Sequence, residues 1–220
     1  MKRIILFLVS LMIAAVAVVV YFKITQKIST ISVPVIPSVS FSDLVKFSRF
    51  SLEKAPTQSL VGKILVLEGE VKHEGRLSKD SEKIDTLKDI QQGEGLETGE
   101  DGRVILSFDK ISEVTIFSDT SLSIIQTLPA DLVFSQNKGS AQFKKIADTP
   151  VSIRSLHLLI ENKGDVKVSV DKLKPIVKVE ILSGSATVAY NNINNDTRVL
   201  DLEKGETLTF NDDTRRVVQE

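Results

Sequence analysis

Residues 93–102 read Gly93-Glu94-Gly95-Leu96-Glu97-Thr98-Gly99-Glu100-Asp101-Gly102, and Arg103, VILSF (104–108), DKIS (109–112), EVTIF (113–117), SDTS (118–121) and LSII (122–125) follow. Val104, Leu106 and Phe108 alternate with Ile105 and Ser107. Val114 and Ile116 alternate with Thr115 and Phe117, and Leu122 and Ile124 with Ser121 and Ser123. A period of two over short runs, broken by Gly, Asp and Ser, is the pattern of half-buried strands joined by turns. The stretch is expected to form an antiparallel meander with one face in a core.

The same grammar extends outward. Upstream, Ile64 to Val71 reads as a strand, with Gly69 as a bulge or close-approach point, and the polar run Lys72 to Leu87 reads as a long loop. Downstream, Leu132 to Phe134 and Ala141 to Phe143 flank Asn137-Lys138-Gly139, a hairpin signal. Val151 to Arg154 and Leu156 to Ile160 follow Pro150. Val166, Val168 and Val170 then face Val177, Val179 and Ile181 across a turn through Lys172 to Pro175. Ala186, Val188 and Tyr190 follow Gly184. Asn191 to Thr197 forms a polar loop, and Leu200 to Leu202 and Leu208 to Phe210 close the domain. No long amphipathic helix interrupts the series after residue 60. Many short strands at regular spacing predict an all-β sandwich, jelly roll or barrel of antiparallel strands. An internal echo links its ends. Asp89 to Leu96 (DIQQGEGL) matches Asp201 to Leu208 (DLEKGETL) at Asp, Gly, Glu and Leu. Gly69 and Gly184 precede the two copies. The match points to one strand-turn-strand unit used twice.

The N-terminus follows a different rule. Ile4 to Phe22 is an uncharged apolar run, including Ile4, Leu6, Phe7, Leu8, Leu11, Ile13, Val19 and Phe22. At ~1.5 Å per residue it is long enough to cross a ~30 Å hydrocarbon core as one helix. Two readings compete: a signal peptide cut after Ala15-Val16-Ala17, and a retained anchor. The apolar run continues past Ala17, so cleavage would leave an apolar new terminus, which favours the anchor. Lys2 and Arg3 on one side lean towards an N-terminus in the cytoplasm, although Lys23 and Lys27 nearly balance them. The expected organisation is a cytoplasmic stub (1–3), a transmembrane anchor (4–22), an extended Ser/Pro-containing linker (23–58), a β domain (59–212) and a polar C-terminal tail (213–220). The domain would then be periplasmic, on a single-pass protein of the inner membrane. Within the linker, Phe41, Leu44, Val45 and Phe47 form an apolar cluster that Ser42 or Asp43 is able to cap as a short helix, read as packing on the domain surface.

Composition narrows the chemistry. A net charge of −1 gives no electrostatic footprint for nucleic acid. The absence of Cys excludes disulfides, thiolate metal sites and a Cys nucleophile. His73 lies in a charged run and is expected to be exposed. His157 is expected on a strand surface or partly buried. The two show no metal-ligand spacing. Glu94, Glu97, Glu100 and Asp101 read as solvated turn carboxylates rather than a calcium loop. Gly93, Gly95 and Gly99 lack the spacing and the following helix of a phosphate loop. With Gly69, Gly102, Gly139, Gly184 and Gly205 they are expected to define turns. No catalytic residue, cofactor-binding residue or metal ligand is assigned, no cofactor is expected, and the chain is read as a non-enzyme.

The segment Gly95-Leu96-Glu97-Thr98-Gly99, then Asp101-Gly102-Arg103, Val104 to Phe108, Asp109 to Ser112 and Val114 to Phe117, resembles the FecR domain family. The resemblance extends through Gly139, Thr149-Pro150, Gly184 and Gly205-Glu206, over about residues 60–212. It implies an extracytoplasmic β domain behind one membrane span. In the family's iron-uptake regulators such a domain receives a signal from an outer-membrane transporter, and a cytoplasmic segment controls a sigma factor. Two features depart from that pattern. Arg154-Ser155-Leu156 stands where the family has Arg-Gly-Thr, and only Met1 to Arg3 precede the apolar run, so no anti-sigma segment is expected. The resulting expectation is a membrane-anchored binding or sensing module for an envelope protein or glycan. The alternative is an anchored jelly roll that carries lipid or glycolipid, which requires an apolar groove between its sheets.

Overall fold

A computed structural model describes residues 58–77, 80–171 and 173–219. The stub, the anchor and nearly all of the linker lie outside the described residues. Among the described residues, no helix is long and apolar enough to cross a membrane. All regular structure there is strand. The first strands are β1 (Gly62–Glu68), β2 (Val71–Glu74), β3 (Ser81–Lys83), β4 (Asp89–Ile90), β5 (Gly95–Thr98), β6 (Arg103–Phe108), β7 (Ser112–Ile116) and β8 (Ser121–Leu128). After them come β9 (Asp131–Lys145), β10 (Val151–Ser155), β11 (Leu158–Asn162), β12 (Asp165–Asp171) and β13 (Ile176–Ser183). The last are β14 (Ser185–Asn191), β15 (Thr197–Glu203), β16 (Thr207–Asn211) and β17 (Arg216–Gln219).

The strands form two layers that share β9. One layer runs β4-β1-β6-β7-β9-β12-β13-β16-β17. The other runs β3-β2-β5-β8-β9-β10-β11-β14-β15. Every pairing is antiparallel except β9 with β10. The alternation read from the sequence sets the core. Val104, Leu106, Phe108, Val114, Ile116, Leu122 and Ile124 are all buried, as are the inward residues of β12, β13 and β16 and Ala186 and Val188 of β14. Each fully buried Val, Leu, Ile or Phe contributes roughly 1.5–3 kcal/mol relative to exposure. Phe134 is the centre, with ring centroids 5.4 Å from Phe108 and 5.6 Å from Phe143.

The Phe134–Phe143 contact defines β9. Nine residues of straight strand would separate those rings by roughly 30 Å. Their contact shows that the chain folds over between them, so that its first half lies in one layer and its second half in the other. The pivot is Gly139, with φ +78°. A Cβ there would lie 2.3 Å from Thr120 Oγ1, so a side chain is excluded on both counts. Gly69 and Gly184 carry the chain between layers in the same way, from β1 to β2 and from β13 to β14.

Four expectations change. The 93–125 stretch is not a flat meander: β6 and β7 form a hairpin in one layer, while β5 and β8 pair with each other in the opposite layer. Asn137-Lys138-Gly139 is a corner between layers rather than a hairpin turn, because the two halves of β9 meet through side chains and not through backbone bonds. The polar run 72–87 contains most of β2 and all of β3; β2 pairs with β5 and β3 with β2, through backbone register that needs no apolar run. The domain does not end at 212. Arg216–Gln219 forms β17 on β16, and Val217 packs against the core.

Candidate functional site

Cross-layer corners gather loops that are distant in sequence. The β1–β2 corner, the β5–β6 turn, the β7–β8 turn and the β9 corner meet around a cleft of about 440 Å³. Its walls carry Glu70, Glu97, Glu100, Asp101 and Asp119 against Lys72 and Lys138. Lys138 pairs with Glu97, and Lys72 Nζ lies 3.2 Å from Glu70. Carboxylates therefore outnumber amines, and the cleft presents a net negative surface.

The floor is a polar latch. Thr98 Oγ1 donates to the Phe117 carbonyl at 2.5 Å and accepts from the Thr120 N–H at 2.9 Å. Thr120 Oγ1 in turn donates to the Ser140 carbonyl at 2.9 Å and accepts its N–H at 2.8 Å. Both threonines are buried, and buried hydroxyls so satisfied fix β5, the β7–β8 turn and the β9 corner to one another. Asp101 Oδ1 accepts the Glu70 N–H at 3.0 Å, Gly99 N–H donates to the Glu70 carbonyl at 2.8 Å, and Asp119 N–H donates to the Gly99 carbonyl at 3.0 Å. A Cβ on Gly102 would lie 2.4 Å from the Glu70 carbonyl oxygen.

The sequence singled out Glu97, Glu100 and Asp101 as turn carboxylates, and they do line this turn. Glu94 stands apart from the cleft. Glu70, Asp119, Lys72 and Lys138 were missed. Lys138 lies 41 residues from Glu97, and no local pattern announces that distance. Among the described residues, no group of three or more His, Asp or Glu side chains is arranged to hold a metal ion.

One histidine lies opposite to expectation, and the other lies in a turn rather than on a strand. His73 is buried, because β2 belongs to a layer and turns it inward between Lys88 and Glu94. Lys88 Nζ is 3.2 Å from Nδ1, and Glu94 Oε2 is 3.1 Å from Nε2. An ammonium only donates, so Nδ1 is the acceptor of the Lys88 contact and a neutral ring has its proton on Nε2, which is close to the carboxylate but makes no well-aligned hydrogen bond to it. His157 is exposed in the β10–β11 turn, where Leu156 takes φ +51°, and Asp212 holds its Nδ1 at 2.8 Å.

The internal echo is one turn built twice. Gly93 has φ +87° and Gly205 φ +90°. Glu94 Oε2 accepts the Gln91 N–H at 2.8 Å, and Glu206 Oε2 accepts the Glu203 N–H at 2.7 Å. Gly93 N–H donates to the Ile124 carbonyl, and Gly205 N–H to that of Ile181. Each turn passes the chain from one layer to the other.

No protein-family model matches the sequence, and no curated protein matches it. Two solved structures of a candidate anti-sigma factor from Parabacteroides distasonis ATCC 8503 are similar, each with a TM-score of 0.50. They are 13% and 12% identical to this chain, and the match covers 57% of this chain and 58% of each of them. The chain thus matches little more than half the length of those proteins. At that identity, what they share with it is an all-β fold.

Proposed function

We propose that this chain is a membrane-anchored, extracytoplasmic regulatory or sensing module of FecR type, whose β domain binds an envelope protein or glycan. The observation that carries the reading is the fold shared with the Parabacteroides distasonis candidate anti-sigma factor. The apolar run Ile4 to Phe22 supplies the anchor, and the cleft around Gly99 to Gly102 supplies a rigid polar surface for a partner. The domain is non-enzymatic in this reading. Its role is to present the corner loops, which the Thr98–Thr120 latch holds in place.

Reporter fusions after residue 58 test the topology. Alkaline phosphatase is expected to be active there and a cytoplasm-dependent reporter silent; the reverse pattern overturns the proposal. Crosslinking in native envelopes tests the binding, with one specific adduct expected and none above background counting against it. The carrier reading is less well supported, because Phe108, Phe134, Phe143 and Phe210 are fully buried between the layers.

A further inference from the structure

The two lateral sides of the sandwich end differently. On one side the layers finish in β3 (Ser81–Lys83), which is fully exposed and carries Glu82 and Lys83, and in β1, which β4 covers only at Gly62 and Lys63 and whose register breaks between Ile64 and Val66. Short, charged or bulged edges of this kind discourage further strand pairing. On the other side they finish in β15 and β17. Tyr190 and Phe210 pack across the interior at 5.3 Å, which places β14 over β16 and so puts both final strands on the same side. Among the described residues, β15 pairs with β14 alone, over all seven of its residues.

The register shows what this edge offers. Asn192 N–H donates to the Asp196 carbonyl at 3.0 Å, so that pair is of the hydrogen-bonded kind. Alternation then makes Tyr190/Arg198, Val188/Leu200 and Ala186/Leu202 hydrogen-bonded pairs. Thr197, Val199 and Asp201 turn their own N–H and C=O groups to the open side, while Glu206 takes both of those of Glu203. Val199 is 59% exposed on the outer face, while Leu202 points into the core.

We propose that β15 pairs antiparallel with β15 of a second copy of this chain, about a two-fold axis at Val199. Such an axis sets each residue against its own mirror position, which limits the choice of register. An axis at Arg198 or Asp201 opposes like charges. An axis at Leu200 sets Val199 against Asp201 and Thr197 against Glu203. An axis at Val199 sets valine on valine, Thr197 (whose hydroxyl donates to Asn191) against Asp201 (whose Oδ1 accepts from Thr187), and Arg198 against Leu200, with no like charges opposed. The edge is complementary to itself in that register, and its backbone groups already point outward. Pairing would join the two domains into one continuous sheet, whichever side of a membrane they occupy.

The chain contains no Cys, so Val199→Cys introduces its sole thiol. Opposed residues of a hydrogen-bonded antiparallel pair have Cα atoms about 5.5 Å apart, within the roughly 4.4–6.8 Å that a disulfide spans. Oxidation of the full-length Val199→Cys chain in membranes is expected to give a disulfide dimer, several-fold more than Ile193→Cys at the exposed β14–β15 tip. Equal yields at the two positions overturn the proposal. Co-purification of two differently tagged full-length copies provides a second measurement. Val199→Pro removes an N–H that faces outward and no bond to β14, and it is expected to abolish co-purification. Val199→Lys changes no backbone group and is expected to give the same loss even if proline disturbs the strand. Undiminished co-purification in both variants overturns the proposal.

Discussion

The turn at Gly93 and the turn at Gly205 are locally one structure in two settings. Both use a left-handed glycine, a glutamate that folds back onto the backbone two residues before the glycine, and a bond to a core isoleucine's carbonyl. Gly205 has open space beside it. Gly93 lies under the Arg76 side chain, 3.4 Å from where a Cβ would stand, and its neighbour Glu94 also faces His73. The short motif therefore dictates the turn, and the surrounding fold decides what else the turn is attached to. Sequence identity between the two copies reports the first property and is blind to the second.

The comparison is tested most strongly through the apolar residue that follows each turn. Leu96 and Leu208 are both buried, and Leu96→Ala and Leu208→Ala are each expected to cost about 2–5 kcal/mol in chemical denaturation. A near-neutral result at one site would break the equivalence. The glutamates come next and are expected to differ. Glu94→Ala removes a backbone cap and a partner of buried His73, at a cost of roughly 1.5–3 kcal/mol, whereas Glu206→Ala removes the cap alone, at about 0.5–1.5 kcal/mol. Equal losses would show that the histidine contact contributes nothing. Gly93→Ala and Gly205→Ala force a side chain into left-handed backbone, and each is expected to lose about 1–2 kcal/mol. The two should agree, since a Cβ at Gly93 meets Arg76 only at ordinary contact distance. The smallest effect is spectroscopic. Lys88→Met removes the donor to His73 Nδ1, and nitrogen-resolved NMR should then show the ring leaving its single Nε2–H tautomer for a mixture.

Much of the fold was legible in the sequence. Val104/Leu106/Phe108 and Val166/Val168/Val170 fixed strand faces, because a period of two with one wet face has few other solutions. The Gly93/Gly205 echo was legible because turn chemistry is local. Layer membership was not. Asn137-Lys138-Gly139 has the composition of a hairpin, and only the packing of Phe134 on Phe143 makes it a corner. β2 and β3 were hidden because a strand held by backbone register carries little apolar signature. His73 was misplaced for the same reason: its burial follows from β2 lying against β5. The cleft was half legible. Glu97 to Asp101 lie together in sequence, but Lys138 and Asp119 arrive through the β9 corner and the Thr98–Thr120 latch, which are facts of topology.

The doubled-over β9 has a consequence for how the molecule assembles. In one layer it separates β7 from β12, and in the other β8 from β10, so each layer's two halves meet only on this strand. Chain synthesised up to residue 130 has partial layers with raw inner edges and no way to complete either of them. The first half of β9 closes locally as a hairpin with β8, Leu128 opposite Asp131, whereas its pairings with β7, β10 and β12 join residues farther apart along the chain, which slows folding. A single scission at the corner would not release two sub-domains. It would remove the connection that keeps both layers in register at once.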